Sequence, residues 1–470
     1  MATKKNFTVK EYNGADYDTL YPETNSGQVL LDNTAKAELG LAGGGQTPPT
    51  LDDALSKLNK FDNRYEIGDV LTTSRTNLSD KWLLCNGATL DNGEYPELGA
   101  QFSGVEMHFD KVSKQSFTMS ANIKPFDYSV ASRKLDNGSE ELLMSIKYKY
   151  DYVSSLYYKN LSVSGDWVLL GDADTVYYAY SMNNNFVIIP ISNADLSSYK
   201  AKYCIGSPTS FSSFQNLQIP SSLPSYPHWA DAKYYNGKYY FGIRSDSGQV
   251  WIYDSLSSSP IVASYDVGEY GTGHGCLGIA DGKITTSYTR YRGSDDYSLG
   301  FVGITGDGGT VEISSHYGAS SSSYQPLPTA IWKFAGKYYY VAFGSNITSS
   351  YVYLTVNQAD SLSDTPTQIK YISTDSTLGK KNNPWATYMV TDNAILLPDK
   401  TYINLNNKLK SWENTSSISQ SQCMSFSQTD SAIYAMCPQY EIWRSSKSAQ
   451  FKLPKYSPAT GLRAYIKAKD

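Results

Sequence analysis

The 470-residue chain has no run of about 20 apolar residues, the length a helix needs to cross a bilayer, so no membrane insertion is expected. Lys4 and Lys5 near the start are followed by no apolar stretch, and no secretory leader is expected either. Charge is scarce and balanced. Charged residues make up 18% of the chain, 40 basic against 45 acidic, for a formal net charge of −5. A nucleic-acid-binding protein needs a basic face, so nucleic acid is not an expected partner. The four histidines, His108, His228, His274 and His316, show no metal-ligand spacing. The five cysteines, Cys85, Cys204, Cys276, Cys423 and Cys437, include no CxxC pair and read as thiols of a protein assembled in a reducing cytoplasm. No metal is therefore expected. No Ser-His-Asp constellation, nucleophile elbow or phosphate loop is present. Gly273-His274-Gly275-Cys276-Leu277-Gly278 fits GxGxxG, but that motif holds a dinucleotide only between a strand and a helix. Here it leads into a strand and a hairpin, so it reads as a loop between repeats, and no cofactor is expected.

What the chain does have is tyrosine, 41 residues of it, with 35 glycines and abundant Ser and Thr. These residue types favour pleated sheet and turns over helix, so the fold class is all-β. The length exceeds one ordinary core and implies two or three domains. Residues 1–49 form an N-terminal segment and hinge. Within it, Phe7–Gly14 and Tyr17–Pro22 read as short extended pieces joined by an Asn-Gly turn, and Gly43–Pro49 reads as the hinge. Their apolar content is too small for an independent core. Residues 50–62 are the one short helix: Thr50 can cap it, Asp52 and Asp53 suit its positive end, and Leu51, Ala54, Leu55, Leu58 and Phe61 share one face. Such a helix either packs on its own domain or self-associates, and a trimeric bundle is one such arrangement.

From about residue 125 to 445 a hairpin pattern recurs. Apolar strands flank tight turns at Asn236-Gly237, Asp281-Gly282 and Ala335-Gly336, with weaker copies around Asn137-Gly138, Asn184-Asn185, Asp392-Asn393 and Asp430-Ser431. Asn-Gly and Asp-Gly supply the two positive-φ positions a two-residue hairpin requires. The turns lie roughly 40 to 57 residues apart, a period that suits four short strands per repeat. The array resembles the β-propellers of the kelch, WD40 and sialidase-like kinds, with six or seven blades expected. A series of β-sandwiches or a β-helix is the rival architecture, but a β-helix would show a much shorter period. Asp246-Ser247-Gly248-Gln249-Val250-Trp251 and Thr305–Thr310 resemble partial sialidase Asp boxes, which stabilise turns and do not catalyse.

Two stretches flank the repeats. Ahead of them stand Ile67-Gly68-Asp69-Val70-Leu71, Trp82-Leu83-Leu84-Cys85-Asn86-Gly87 and Tyr95-Pro96-Glu97-Leu98. Behind them stand Phe451-Lys452-Leu453-Pro454 and Tyr465-Ile466-Lys467-Ala468. In order and wording these resemble the pieces of the phage tail-collar family, and Glu11–Pro22 resembles the start of phage tail and baseplate proteins. The resemblance implies that residues 63–102 and 451–470 form one discontinuous tail-collar-like β module, into which residues 103–450 are inserted as the propeller-like domain. It further implies a virion or phage-like particle as the location, with tail or baseplate proteins held by the N-terminal segment and a homotrimer as the assembly.

Three residues fall eight positions before a hairpin turn: Trp229, His274 and Trp385. In repeated blades they would start successive inner strands at one height near the channel, with Tyr226, Tyr324 and Trp332 close by. Exposed aromatic faces in a concave polar rim grip sugar rings, so these six are the candidate glycan contacts. A packed residue between repeats is the alternative for each. Arg133, Arg244, Arg290, Arg292 and Arg444, with Asp295-Asp296, do not select a glycosidase constellation, and surface ion pairs are their expected use. The expected function is attachment of a phage tail to a bacterial surface glycan or surface protein, without catalysis. A propeller glycosidase acting on host polysaccharide and a structural baseplate part with no host contact are the alternatives.

Overall fold

The computed structural model describes most of residues 66–468, leaving out among its longer stretches 102–108, 115–124, 191–197, 316–325, 375–387 and 413–424. Before residue 66 it describes only the backbone of four short strands. Val9–Tyr12 there pairs antiparallel with Tyr17–Leu20, in line with the two extended pieces read from the sequence. The helix expected at 50–62 lies outside the described residues. The chain divides into two compact units, one of residues 1–90, 94–101 and 452–470, the other of residues 91–93 and 102–451.

In the first unit, Arg463–Lys467 is the central strand of a three-stranded sheet, antiparallel to Val70–Thr73 on one side and to Trp82–Leu84 on the other. Chain segments almost 400 residues apart thus share one ladder. The Asn86-Gly87 turn has a local reason. The Asn86 side-chain oxygen accepts the Ala88 amide at 2.9 Å, and Gly87 takes φ +80°, a conformation that glycine adopts without steric cost. Trp82, Cys85, Leu98, Leu453 and Ile466 are buried in this unit. The Tyr465 hydroxyl donates to the Thr76 carbonyl at 2.6 Å, so its ring is packed while its polar end is satisfied. One short helix, Pro96–Gln101, carries Leu98 inward.

The second unit contains seven antiparallel sheets of four or five strands among the described residues. Their leading strands are Pro125–Lys134, Tyr177–Met182, His228–Tyr235, Thr272–Gly273 with Gly278–Ala280, Pro326–Leu327 with Ile331–Phe334, Met389–Val390 and Ser425–Gln428. In the first six sheets each following strand pairs with the one before it. The seventh is completed differently. Its outer strand is Asp110–Lys114, which pairs with Glu441–Ser446 and comes from ahead of the first sheet.

The turns carry the backbone geometry their residues dictate. Asn236-Gly237, Asp281-Gly282 and Ala335-Gly336 each take positive φ at both positions. In the second sheet the two positive-φ residues are Asn183 and Asn184, one position earlier than the sequence suggested. Consecutive sheets are joined through side chains. Ser129 Oγ accepts the Ala179 amide at 2.7 Å, between the first and second sheets, and Thr285 Oγ1 donates to the Ile331 carbonyl between the fourth and fifth. The Trp412 ring of the sixth sheet stacks on Phe109 at 4.0 Å and meets Phe426 of the seventh edge-on. Between the first and last sheets, Ser427 Oγ accepts the Ser132 amide at 2.7 Å and Ser425 Oγ accepts the Val130 amide at 3.1 Å. Glu140 of the first sheet receives Arg444 Nε of the seventh at 3.0 Å.

Candidate functional site

A cavity of about 380 Å³ is lined by the leading strands of all seven sheets. One residue from each marks its wall: Val130, Tyr180, Lys233, Ile279, Trp332, Met389 and Phe426. Its chemistry concentrates on the third sheet. The strand His228–Tyr235 carries a β-bulge between Trp229 and Asp231, where the register against the next strand shifts by one residue. A bulge re-aims the side chains that follow it. Asp231 and Lys233 line the cavity as a result.

Asp231 is buried yet well provided for. Its Oδ1 accepts the Ala232 amide at 2.8 Å and Lys233 Nζ at 3.1 Å, and its Oδ2 accepts the Leu277 amide from the fourth sheet at 3.1 Å. Burying a carboxylate without such partners would be costly. The Lys233 ammonium lies 6.0 Å from the Tyr180 ring centre and 5.9 Å from that of Trp332, within the range of cation–π attraction. Trp332 Nε1 donates to the Tyr388 hydroxyl at 3.2 Å and so ties the fifth sheet to the sixth. The seventh sheet contributes Ser427, Gln428 and Asp430 to the lining, and the second contributes Ser181, Asn183 and Asn184. The Gln428 side-chain carbonyl is buried and has no hydrogen-bond partner among the described residues. The lining is therefore mixed aromatic and polar.

The residues proposed from sequence fare unequally. Trp332 lines the cavity, although the indole is only 5% exposed. Trp229 does not. It precedes the bulge, is 4% exposed, and packs edge-on against Phe241 and Trp251 while its Nε1 donates to the Tyr199 carbonyl. It is a core residue between the second and third sheets. His274 is likewise buried, in the break between the two short leading strands of the fourth sheet, so the register shared with Trp229 does not exist. Burial first, then the nearby Arg244 charge, hold the His274 imidazole near pKa 3, so it is neutral at ordinary pH. Tyr226 is exposed, at positive φ, ahead of the third sheet, and is not part of the cavity wall. Trp385 and Tyr324 lie outside the described residues. Asp231, Lys233, Tyr180 and Tyr388 went unnoticed in the sequence. A single charged pair spaced i, i+2 just after a tryptophan in a leading strand is the only signal that marks two of them.

The arginines also correct an expectation. Arg133 makes no surface pair. Its side chain is fully buried, bonded to Glu141 Oε2 through Nε at 2.8 Å and through Nη2 at 2.6 Å, to the Ile205 carbonyl through Nη1, and stacked 4.5 Å over Phe186. Arg444 pairs with Glu140, and Arg290 lies near Asp266 at the surface. These three do not converge on one site. Arg292 and Asp295-Asp296 lie outside the described residues. The partial Asp boxes are turns, as expected: Asp307 Oδ1 accepts the Thr305 hydroxyl and the Gly309 amide. The GxGxxG stretch is a backbone packing site. A Cβ on Gly242 would lie 1.6 Å from the Gly275 carbonyl oxygen, and one on Gly278 would lie 2.4 Å from that of Ile331. No group of described residues has the composition of a metal site.

No protein-family model matches the chain, and no curated protein does. Among solved structures, the chain is similar to the Aleuria aurantia lectin in complex with α-methyl-L-fucoside, at 8% identity and TM-score 0.34, over 72% of this chain and 99% of the lectin. It is similar to an α-L-arabinofuranosidase from Fusarium graminearum at 9% identity and TM-score 0.32, over 73% and 98% of the two chains. An endo-arabinase from Bacteroides thetaiotaomicron gives 13% identity and TM-score 0.28, over 73% and 99%.

Proposed function

We propose that the seven sheets form a closed seven-bladed β-propeller whose central cavity binds a saccharide, and that the chain is the attachment subunit of a phage tail or phage-like particle. Closure is supported by the strand Asp110–Lys114, which completes the last sheet from the front of the domain, and by the Ser132–Ser427 and Glu140–Arg444 links between first and last sheets. Sugar binding rests on one observation above the others. The convergent cavity joins aromatic surface from Tyr180, Trp332 and Tyr388 with the polar groups Lys233, Gln428 and Asp430. Saccharides need that combination, because one ring face is apolar while the hydroxyls ask for hydrogen bonds. The attachment role draws on the tail-collar resemblance, whose two halves share the ladder Val70–Thr73, Arg463–Lys467, Trp82–Leu84. Single sugar sites are weak, so several copies on one particle would supply the avidity.

A glycan array probed with the full chain tests the reading. Binding to a defined oligosaccharide set, lost on Lys233→Met or Trp332→Ala in folded protein, is expected. Array signals unchanged in both variants would refute the cavity as the site. For the attachment role, particles whose protein carries the same substitutions should adsorb poorly to host cells.

A glycosidase is the second reading, favoured by the two carboxylates, Asp231 and Asp430, that line the same cavity. Paired carboxylates are the usual requirement for glycoside hydrolysis. The saturation of Asp231 by three donors weighs against it as nucleophile or base. Release of reducing ends from purified host polysaccharide, abolished by Asp430→Asn, would establish hydrolysis.

A further inference from the structure

We infer that the cavity selects a neutral saccharide, held between an ammonium donor on the third sheet and side-chain carbonyl and carboxylate acceptors on the seventh. This rests on the reading of the cavity as a sugar site.

The argument is an account of which polar atoms are already used. Asp231 lines the cavity but offers it little, since three donors occupy its two oxygens. Lys233 has three N–H donors and, among the described residues, one hydrogen-bond acceptor, Asp231. The rings of Tyr180 and Trp332 flank the ammonium at about 6 Å and fix its position without accepting a conventional hydrogen bond. Two Lys233 protons therefore remain for a ligand. On the seventh sheet two acceptors are unused among the described residues. The Gln428 side-chain carbonyl is buried with no partner, and Asp430 is exposed with no ion pair among the described residues. A ligand that uses these groups accepts at one end and donates at the other. A sugar hydroxyl does both.

Charge decides among sugars. Among the described residues the charged groups lining the cavity are Asp231, Lys233 and Asp430, two carboxylates against one ammonium. Lys233 is neutralised by Asp231, which leaves Asp430 as the uncompensated charge. A uronic, sialic or phosphorylated sugar would bring a second negative charge into the same confined space. Repulsion between like charges at that range lowers affinity by roughly tenfold.

The experiment measures equilibrium binding of the full chain to matched oligosaccharide pairs, one neutral and one bearing a uronate, sialate or phosphate, at low and high salt. The expected result is that neutral ligands bind about tenfold more tightly and that their affinity shifts less than about twofold with salt. Asp430→Asn should bring the acidic partners to within a few-fold of the neutral ones, which a purely structural role for Asp430 would not produce. Gln428→Leu should weaken neutral ligands at least about fivefold. Acidic or free-amine sugars that outrank their neutral counterparts would overturn the inference while leaving the cavity a sugar site. Absence of binding by every sugar class, or binding untouched by Gln428→Leu and Lys233→Met, would overturn both.

Discussion

Single residues show what the tyrosines accomplish. Their rings fill the cores, and their hydroxyls reach neighbouring sheets at the turn ends. Tyr239 of the third sheet receives the side-chain amides of Asn183 and Asn185 of the second. Tyr338 of the fifth donates to Asp281 of the fourth, and Tyr339 of the fifth donates to Asn407 near the sixth. Tyr434 of the seventh donates to Glu140 of the first. Phenylalanine in these places would pack equally well but would cut the links.

The Arg133–Glu141 and Arg444–Glu140 contacts differ in burial, and their loss should differ accordingly. Arg133→Met strips a fully buried carboxylate of its partner and should cost about 3–5 kcal/mol in denaturant unfolding. Arg444→Met, at a half-exposed site, should cost no more than about 1–2 kcal/mol. Burial pushes the Glu140 carboxyl up, but the hydrogen bonds from Arg444 and Tyr434 outweigh that and hold it below the usual range. His274 gives a pH signature. Its folded-state pKa near 3 lies below the ordinary 6.5, so the unfolded chain takes up the proton first as pH falls. The stability associated with neutral His274 is full above about pH 6.5 and declines as pH drops toward 3. Between pH 7 and 5 the decline should reach about 2 kcal/mol, and His274→Leu should remove most of that slope.

Elements were legible to different degrees. The hairpins at Asn236-Gly237, Asp281-Gly282 and Ala335-Gly336 could be read directly, because positive φ at two successive positions leaves few residue choices. The candidate site could not be read in the same way. Counting back from a turn assumes an uninterrupted strand, and the bulge beside Trp229 and the split leading strand around His274 each break the count. Bulges carry no dependable local sequence mark, so Asp231 and Lys233 went unseen while the buried Trp229 stood out. The outer strand Asp110–Lys114 was invisible for another reason: its partner Glu441–Ser446 is more than 300 residues away.

The glycines between the third and fourth sheets offer a test at this scale. Gly242→Ala would drive a Cβ to within 1.6 Å of a backbone oxygen that cannot yield cheaply, so it should cost more than about 3 kcal/mol or prevent folding. Gly206→Ala, with open space around it, should change stability by less than about 0.5 kcal/mol. Thermal unfolding of the two variants side by side measures the contrast.

For the whole molecule, the seven-sheet unit ends on a strand supplied by its own beginning. Such a strand links the two ends of the domain and makes their separation a cooperative event. Deleting Asp110–Lys114 leaves Glu441–Ser446 as an edge and should lower the unfolding midpoint and broaden the transition, which differential scanning calorimetry would register. The same arrangement brings seven leading strands around one cavity, so that residues nearly 300 positions apart, Val130 and Phe426, share its wall. The most direct test of that account is a crystal structure of the chain with an oligosaccharide selected on the array. Density for a sugar between Lys233, Trp332 and Gln428 is the predicted result. A sugar bound elsewhere, for example against the exposed Tyr226, with the central cavity holding only solvent, would contradict it.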